Sequence, residues 1–214
     1  FDRLAEVVRL AVPFLDRVVD INYYPTPEAA TSNSAWRPVG MGLMGLQDVF
    51  FKLALPFDSE EARMLSARIS EEIYFNALWA STELAEAAGP HDNYALTRAA
   101  RGDLQFDLWD VEPTDTARWD TLRARISEHG LRNSLLIAIA PTATIASIAG
   151  CCECIEPQVS NLFKRETRTL AKLLAKGVDA VSGCVLYVDA DLSEKFELPE
   201  WWERRGARLV DRIS

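Results

Sequence analysis

The stretch SLLIAIAPTATIAS, residues 134–147, joins an apolar run to a proline and then to small and hydroxyl-bearing residues without a single charge. A continuous apolar run over 134–140 fits a central strand covered on both faces. Pro141 ends that strand, and a helix opens after it. A helix start presents unpaired N–H groups and the positive end of the peptide dipole. Small residues let an anion approach, and Thr142, Thr144 and Ser147 add hydroxyl donors. Together these make a phosphate cradle that needs no lysine. The same spacing fits an ordinary threonine cap after a strand, and spacing alone leaves the two readings open.

The flanking sequence is mostly helical in pattern. Apolar positions at 4, 7, 8, 11, 14, 15 and 18 form one stripe, with Pro13 expected to kink or divide the helix. Residues 23–38 carry three prolines and read as a loop. VGMGLMGLQDVFFKLAL (39–55) starts extended and turns helical after Gly45. The clearest helix lies between Asp58 or Ser59, as cap, and Gly89-Pro90, with Glu60 and Glu61 in its first turn. Its broad apolar face comprises Leu65, Ile69, Ile73, Phe75, Leu78, Trp79 and Leu84. DLQFDLWDVEP reads as irregular, and TARWDTLRARISEHG as a helix stopped by Gly130. Beyond residue 167, RTLAKLLAKG reads as a helix, VSGCVLYVDA as a strand and SEKFELPEWWERRGARLVDRI as a polar helix. This alternation predicts an α/β class with parallel strands.

The 214 residues carry a net charge of −9 and a pI near 4.8. No basic stripe suited to nucleic acid appears; Arg204, Arg205 and Arg208 sit among acids and read as a solvated helix face. No apolar run approaches the roughly 18 residues of a membrane span. The N-terminal residues read as an amphipathic helix rather than an export signal, so a reducing, cytoplasmic setting is expected. Without an initial Met, the chain reads as a fragment or a processed piece.

Two motifs compete for attention. Gly40, Gly42 and Gly45 match G-x-G-x-x-G, yet no hydrophobic strand precedes them and no strand ending in an acid follows. They are better read as glycines for a tight turn and close packing against a helix. Cys151, Cys152 and Cys154 crowd into four positions, with Cys184 alone. A zinc site needs a second pair, and His91 and His129 are isolated. Half-buried thiols are the plainer reading, beside a Cys-x-x-Cys redox pair or a thiol–metal site. No nucleophile elbow or triad is visible.

Five segments, VVDINYYPTPEAATSN, RPVGMGLMGLQDVFFKLALPFDSEEA, GDLQFDLWDVEPT, HGLRNSLLIAIAPTATIASIAG and ECIEPQVSNLFKRET, resemble the large (α) subunit of class I ribonucleotide reductase in order and spacing. The resemblance covers about residues 1–167. It implies a helix-rich part of a ten-stranded α/β barrel and a role in reducing ribonucleoside diphosphates to deoxyribonucleotides by radical chemistry. It further implies that Pro141, Thr142, Ala143, Thr144 and Ile145 bind the substrate diphosphate. The family's radical-bearing and reducing cysteines match none of the four cysteines here, so no catalytic or metal-binding residue is carried over. No cofactor is expected on this chain. The family relies on a small (β) subunit that generates the radical at a metal centre, on nucleotide effectors and on a homodimer.

Residues 168–214 depart from the pattern: where the family continues LSGEF, this chain reads RTLAKLL. The expected organisation is a reductase barrel segment over 1–167 and a divergent α/β tail over 168–214. Two rival readings stay open. One is a non-catalytic nucleotide-binding or assembly module derived from the same barrel. The other is the cobalamin-dependent class, whose loop usually reads Pro-Thr-Gly-Thr; Ala143 and ECIEPQVSNLFKRET favour class I.

Overall fold

A computed structural model describes residues 1–158 and the backbone of 162–165, 185–188 and 208–211. The chain divides into two compact units: residues 1–46 with 55–155, and residues 47–54 with 156–214.

The first unit is built of helices. α1 (Asp2–Ile21) runs unbroken through Pro13. An internal proline removes one backbone bond without ending the remaining ladder, so the expected division does not occur. Its buried residues are Val8, Val12, Asp16 and Val19. Val7, Phe14 and Val18 of the expected stripe are exposed, because the buried line runs one position to the side. α2 (Pro27–Trp36) occupies the expected loop. Thr26 caps it by accepting the Ala29 N–H, and Pro27 opens its first turn with a preset φ.

α4 (Glu60–Ala88) matches its sequence signals. The Ser59 hydroxyl accepts the Ala62 N–H at the start, and Gly89 ends the helix at positive φ. Tyr94–Leu96 and Ala99–Arg101 form short 3-10 turns, and α5 (Gln105–Leu108) is a single turn. α6 (Thr116–His129) is capped by Asp115 and stopped by Gly130. α1 and α6 both pack on α4. The core between them holds Val8, Val12, Phe75, Leu78, Trp119 and Leu122. Trp119 meets Phe75 edge-on with ring centroids 5.2 Å apart, and its indole N–H donates to Glu71 at 2.9 Å.

A buried polar network runs beside this core. Arg37 donates through Nε to Asp16 Oδ1 (2.9 Å), through one terminal nitrogen to Asp20 Oδ1 (2.8 Å), and through the other to the Asp16 carbonyl (3.1 Å). The Asn133 amide donates to Asp16 Oδ1 (2.8 Å) and to the Arg37 carbonyl (3.1 Å). Ser81 of α4 donates to Asn133 Oδ1 and accepts the Asn133 N–H. Burial alone would lower the Arg37 pKa; the hydrogen bonds it donates to Asp20 and Asp16 outweigh this and raise the value above an already high norm. The hydrogen bond from Arg37 holds the Asp20 carboxyl below its ordinary range.

The ten-stranded barrel is not what the described residues form. Residues 134–140 make no ladder of their own: the pairing with residues 39–41 is a single parallel bridge, Met41 to Ile137. Leu136 is buried, whereas Leu135 and Ile139 are exposed, so the segment is covered on one face rather than two. A barrel strand needs a neighbour on each edge, and among the described residues this segment meets one. In the second unit, β1 (Leu162–Arg165), β2 (Val185–Val188) and β3 (Arg208–Asp211) form a three-stranded sheet, antiparallel then parallel. The parallel α/β alternation expected from sequence is therefore replaced by a helical unit and a short mixed sheet. α3 (Leu46–Lys52) begins after Gly45 as expected. β2 falls inside the strand expected over 181–190. Arg208 lies in β3, not in a helix; Arg204, Arg205, Cys184 and the helix expected over 168–177 lie outside the described residues.

Two stability outcomes follow from these contacts. Asp16→Ala leaves the buried Arg37 with Asp20 as its one carboxylate partner beside the residue-16 carbonyl, and should cost about 3–5 kcal/mol in urea unfolding. Glu72 is held below its ordinary pKa by hydrogen bonds from Arg118, at 2.5 and 2.9 Å. A depressed carboxylate stabilises fully above its unfolded value and loses that contribution as pH falls through the folded one. Glu72→Gln should thus destabilise at neutral pH and become indistinguishable from the parent in strong acid, measured as Tm against pH.

Candidate functional site

The site is assembled from the two segments that Arg37 and Asn133 hold together. Arg37 leads into residues 38–45, and Asn133 leads into 134–140. Their backbones bond directly: Val39 N–H to the Leu135 carbonyl (3.0 Å), Met41 N–H to Leu136 (2.9 Å) and Ala138 N–H to Met41 (3.0 Å). The glycines make this approach possible. A Cβ at Gly42 would stand 2.6 Å from the Ala138 carbonyl oxygen, and one at Gly40 would stand 2.9 Å from the Ala138 Cβ. Close packing was the sequence expectation; its partner is the extended segment rather than a helix. Gly45, at φ 83, donates its N–H to the Cys152 carbonyl at 2.9 Å, tying the glycine stretch to the cysteine turn.

α7 (Ala143–Ala149) opens after Pro141. Thr142 occupies the cap position in the left-handed region (φ 52, ψ 21), and its side chain does not cap the helix. Its hydroxyl oxygen instead accepts the Cys154 N–H at 2.8 Å. The first helical bond is Ala146 N–H to the Thr142 carbonyl, also 2.8 Å. The N–H groups of Ala143, Thr144 and Ile145 thus precede the ladder and have no carbonyl four residues back within the helix. Pro141, Ala143, Thr144 and Ile145 are exposed, and Thr142 is half-buried. Ser147 lies on the same turn but donates back to the Ala143 carbonyl at 3.1 Å. Of the three hydroxyl residues read from sequence, Thr144 stands exposed at the helix start, while Ser147 turns back onto its own helix and Thr142 accepts the Cys154 N–H.

The other candidates separate. His91 is buried, with its ring against Trp36 and Tyr94 and Nδ1 3.3 Å from the Ala35 carbonyl. Burial lowers its pKa and favours the neutral ring. His129 lies on α6 near Glu86 and Glu128. Among the described residues, no group of three or more His, Cys, Asp or Glu is arranged to hold a metal ion. No helix among them is long and apolar enough to cross a membrane.

Sequence reasoning missed the network of Asp16, Arg37, Ser81 and Asn133, which positions both arms of the site. One signal was present. Asp16 continues the spacing of Val8 and Val12, so a carboxylate on the apolar face of α1 required a buried partner.

Comparison with known proteins identifies the class. The family model described as "Ribonucleotide reductase, barrel domain" matches residues 1–205, and the chain belongs to that family. Over 165 residues, 77% of this chain, it is 50% identical to the ribonucleoside-diphosphate reductase large subunit of Caenorhabditis elegans and 50% identical to that of Vaccinia virus (strain Copenhagen). The Arabidopsis thaliana large subunit is 48% identical over the same length. The chain spans about a fifth of these relatives: 21%, 21% and 20% of their lengths.

Gly42→Ala tests the assembled arms. Placing a methyl group against the Ala138 carbonyl should lower stability by about 1–3 kcal/mol. Hydrogen exchange at Met41 and Ala138 should rise with it, because the three backbone bonds share that contact.

Proposed function

We propose that this chain is a segment of a class I ribonucleoside-diphosphate reductase large subunit, and that its part is to hold the substrate diphosphate. The supporting observation is the loop Pro141-Thr142-Ala143-Thr144-Ile145, exposed except at the half-buried Thr142, whose first amides precede the helical ladder and whose flanks belong to the family. In this reading the Ala143, Thr144 and Ile145 N–H groups and the Thr144 hydroxyl donate to phosphate oxygens. Thr142 acts differently from the other hydroxyl residues. Its oxygen holds the Cys154 N–H, and its own proton remains able to reach a phosphate.

Anchoring the diphosphate fixes the ribose for radical chemistry carried out by residues that this chain does not match. Positioning of this kind lowers the entropic part of a barrier without supplying a reacting group. The partners are a ribonucleoside diphosphate, a second copy of the large subunit and a small subunit that generates the radical at its own metal centre. Nucleotide effectors regulate the whole assembly, which works in the cytoplasm, and this chain itself carries no cofactor.

The test uses a full-length large subunit that contains this segment. Thr144→Ala should raise the KM for diphosphate substrates by roughly tenfold to a hundredfold, corresponding to about 1.5–3 kcal/mol for a hydrogen bond to a charged group. Thr142→Ser should retain binding, whereas Thr142→Ala should weaken it. Unchanged KM in both alanine variants removes the assignment of this loop.

A further inference from the structure

Residues 151–154, Cys-Cys-Glu-Cys, place three thiols in four positions, and none of the three is in a disulfide. Their backbone closes on the end of α7, on the glycine stretch and on the start of α7. The Cys151 N–H donates to the Ala146 carbonyl (3.1 Å), the Cys152 carbonyl accepts from Gly45 (2.9 Å), and the Cys154 N–H donates to the Thr142 hydroxyl oxygen (2.8 Å). Cys154 stands at φ 27, within the left-handed region that strains a residue bearing a Cβ. Cys151 is half-buried and open to a small oxidant, whereas Cys152 and Cys154 are 3% and 5% exposed.

We propose that Cys151 and Cys154 form a peroxide-sensitive dithiol whose closure to a disulfide frees Thr142 from Cys154 and loosens the start of α7. The Cys151 thiolate attacks one oxygen of hydrogen peroxide; the O–O bond breaks, leaving a sulfenic acid on Cys151 and releasing hydroxide, which takes up a proton as water. The Cys154 thiol then attacks that sulfur, an S–S bond forms, and the hydroxyl leaves as a second water. Two thiols give up two electrons in all, and one peroxide accepts them. Cys-x-x-Cys is a spacing at which thiols pair. Adjacent Cys151 and Cys152 would have to distort the peptide bond between them, which resists departure from planarity.

Closure turns Cys154 toward Cys151. The peptide carrying its N–H reorients, and the bond to Thr142 breaks. The dithiol stands on the cysteine turn alone; an effect on nucleotide binding rests on reading residues 141–145 as the diphosphate loop.

The experiment uses the full chain with Cys152→Ala and Cys184→Ala, checked against the unaltered chain by circular dichroism and treated with hydrogen peroxide. Peptide mass spectrometry should show a loss of about 2 Da within the peptide holding Cys151 and Cys154, reversed by dithiothreitol. Amide exchange over 143–146 and at Cys154 should rise about fivefold or more as the local structure opens. Cys154→Ser in the same background should give oxidised Cys151 without a disulfide and without the change in exchange. If the background folds poorly, disulfide mapping of the unaltered chain provides the same readout. No disulfide joining Cys151 to Cys154, or one that leaves exchange unchanged, overturns the proposal. Raised exchange with unaltered nucleoside diphosphate binding supports the dithiol and instead removes the diphosphate reading.

Discussion

Arg37 is the residue on which the helical unit turns. It sits in the left-handed region at φ 44, a conformation that costs a residue with a Cβ about 1–3 kcal/mol. Three donated hydrogen bonds, to two aspartates and one carbonyl, hold it there. That backbone reversal ends α2 and directs the chain into residues 38–45. Asn133 reads the same Asp16 oxygen and the Arg37 carbonyl, so residues 134–140 start from the same point. The two arms of the candidate site therefore share one electrostatic origin. Replacing a buried ion pair with apolar residues is often neutral for stability. Here the network's contribution is positional: it determines which backbone meets which.

From that origin, small residues determine how closely the arms approach. Gly40 and Gly42 lie against Ala138 without room for a Cβ, and Gly45 reaches the carbonyl of Cys152. The turn then returns through Cys154 to Thr142. Glycine stretch, extended segment, cysteine turn and helix start thus close a ring of contacts, backbone to backbone except at the Thr142 hydroxyl. This explains why a G-x-G-x-x-G pattern stands here without a dinucleotide fold. Its glycines serve contact between two backbones, which a phosphate-binding turn would also demand, so the pattern alone cannot distinguish the two uses.

Much of the helical unit was legible because its signals are local. Ser59, Gly89, Asp115 and Gly130 bound α4 and α6 where capping chemistry places them. Thr26-Pro27-Glu28 carried an equally local signal for α2, which three prolines in one stretch obscured. That the described residues form no barrel was not legible in local pattern. The apolar run over 134–140 predicts two covered faces, yet coverage depends on distant chain, and the described residues supply one bridge at Ile137. The buried line of α1 likewise depended on partners, since Asp16 faces inward only because Arg37 and Asn133 meet it.

The candidate site was legible in composition and less so in role. Hydroxyl residues near a helix start invite a reading in which every hydroxyl faces a ligand. Ser147 donates to its own helix, and Thr142 receives the Cys154 amide. A hydroxyl that accepts one bond can still donate another, so Thr142 is suited to link the cysteine turn with whatever occupies the loop. The exposed part of the site is then carried by backbone amides and Thr144. Amides belong to every residue type, which is why side-chain identity underdetermines such a site. What distinguishes it is the left-handed cap at Thr142, and that conformation depends on a turn twelve residues further along the chain.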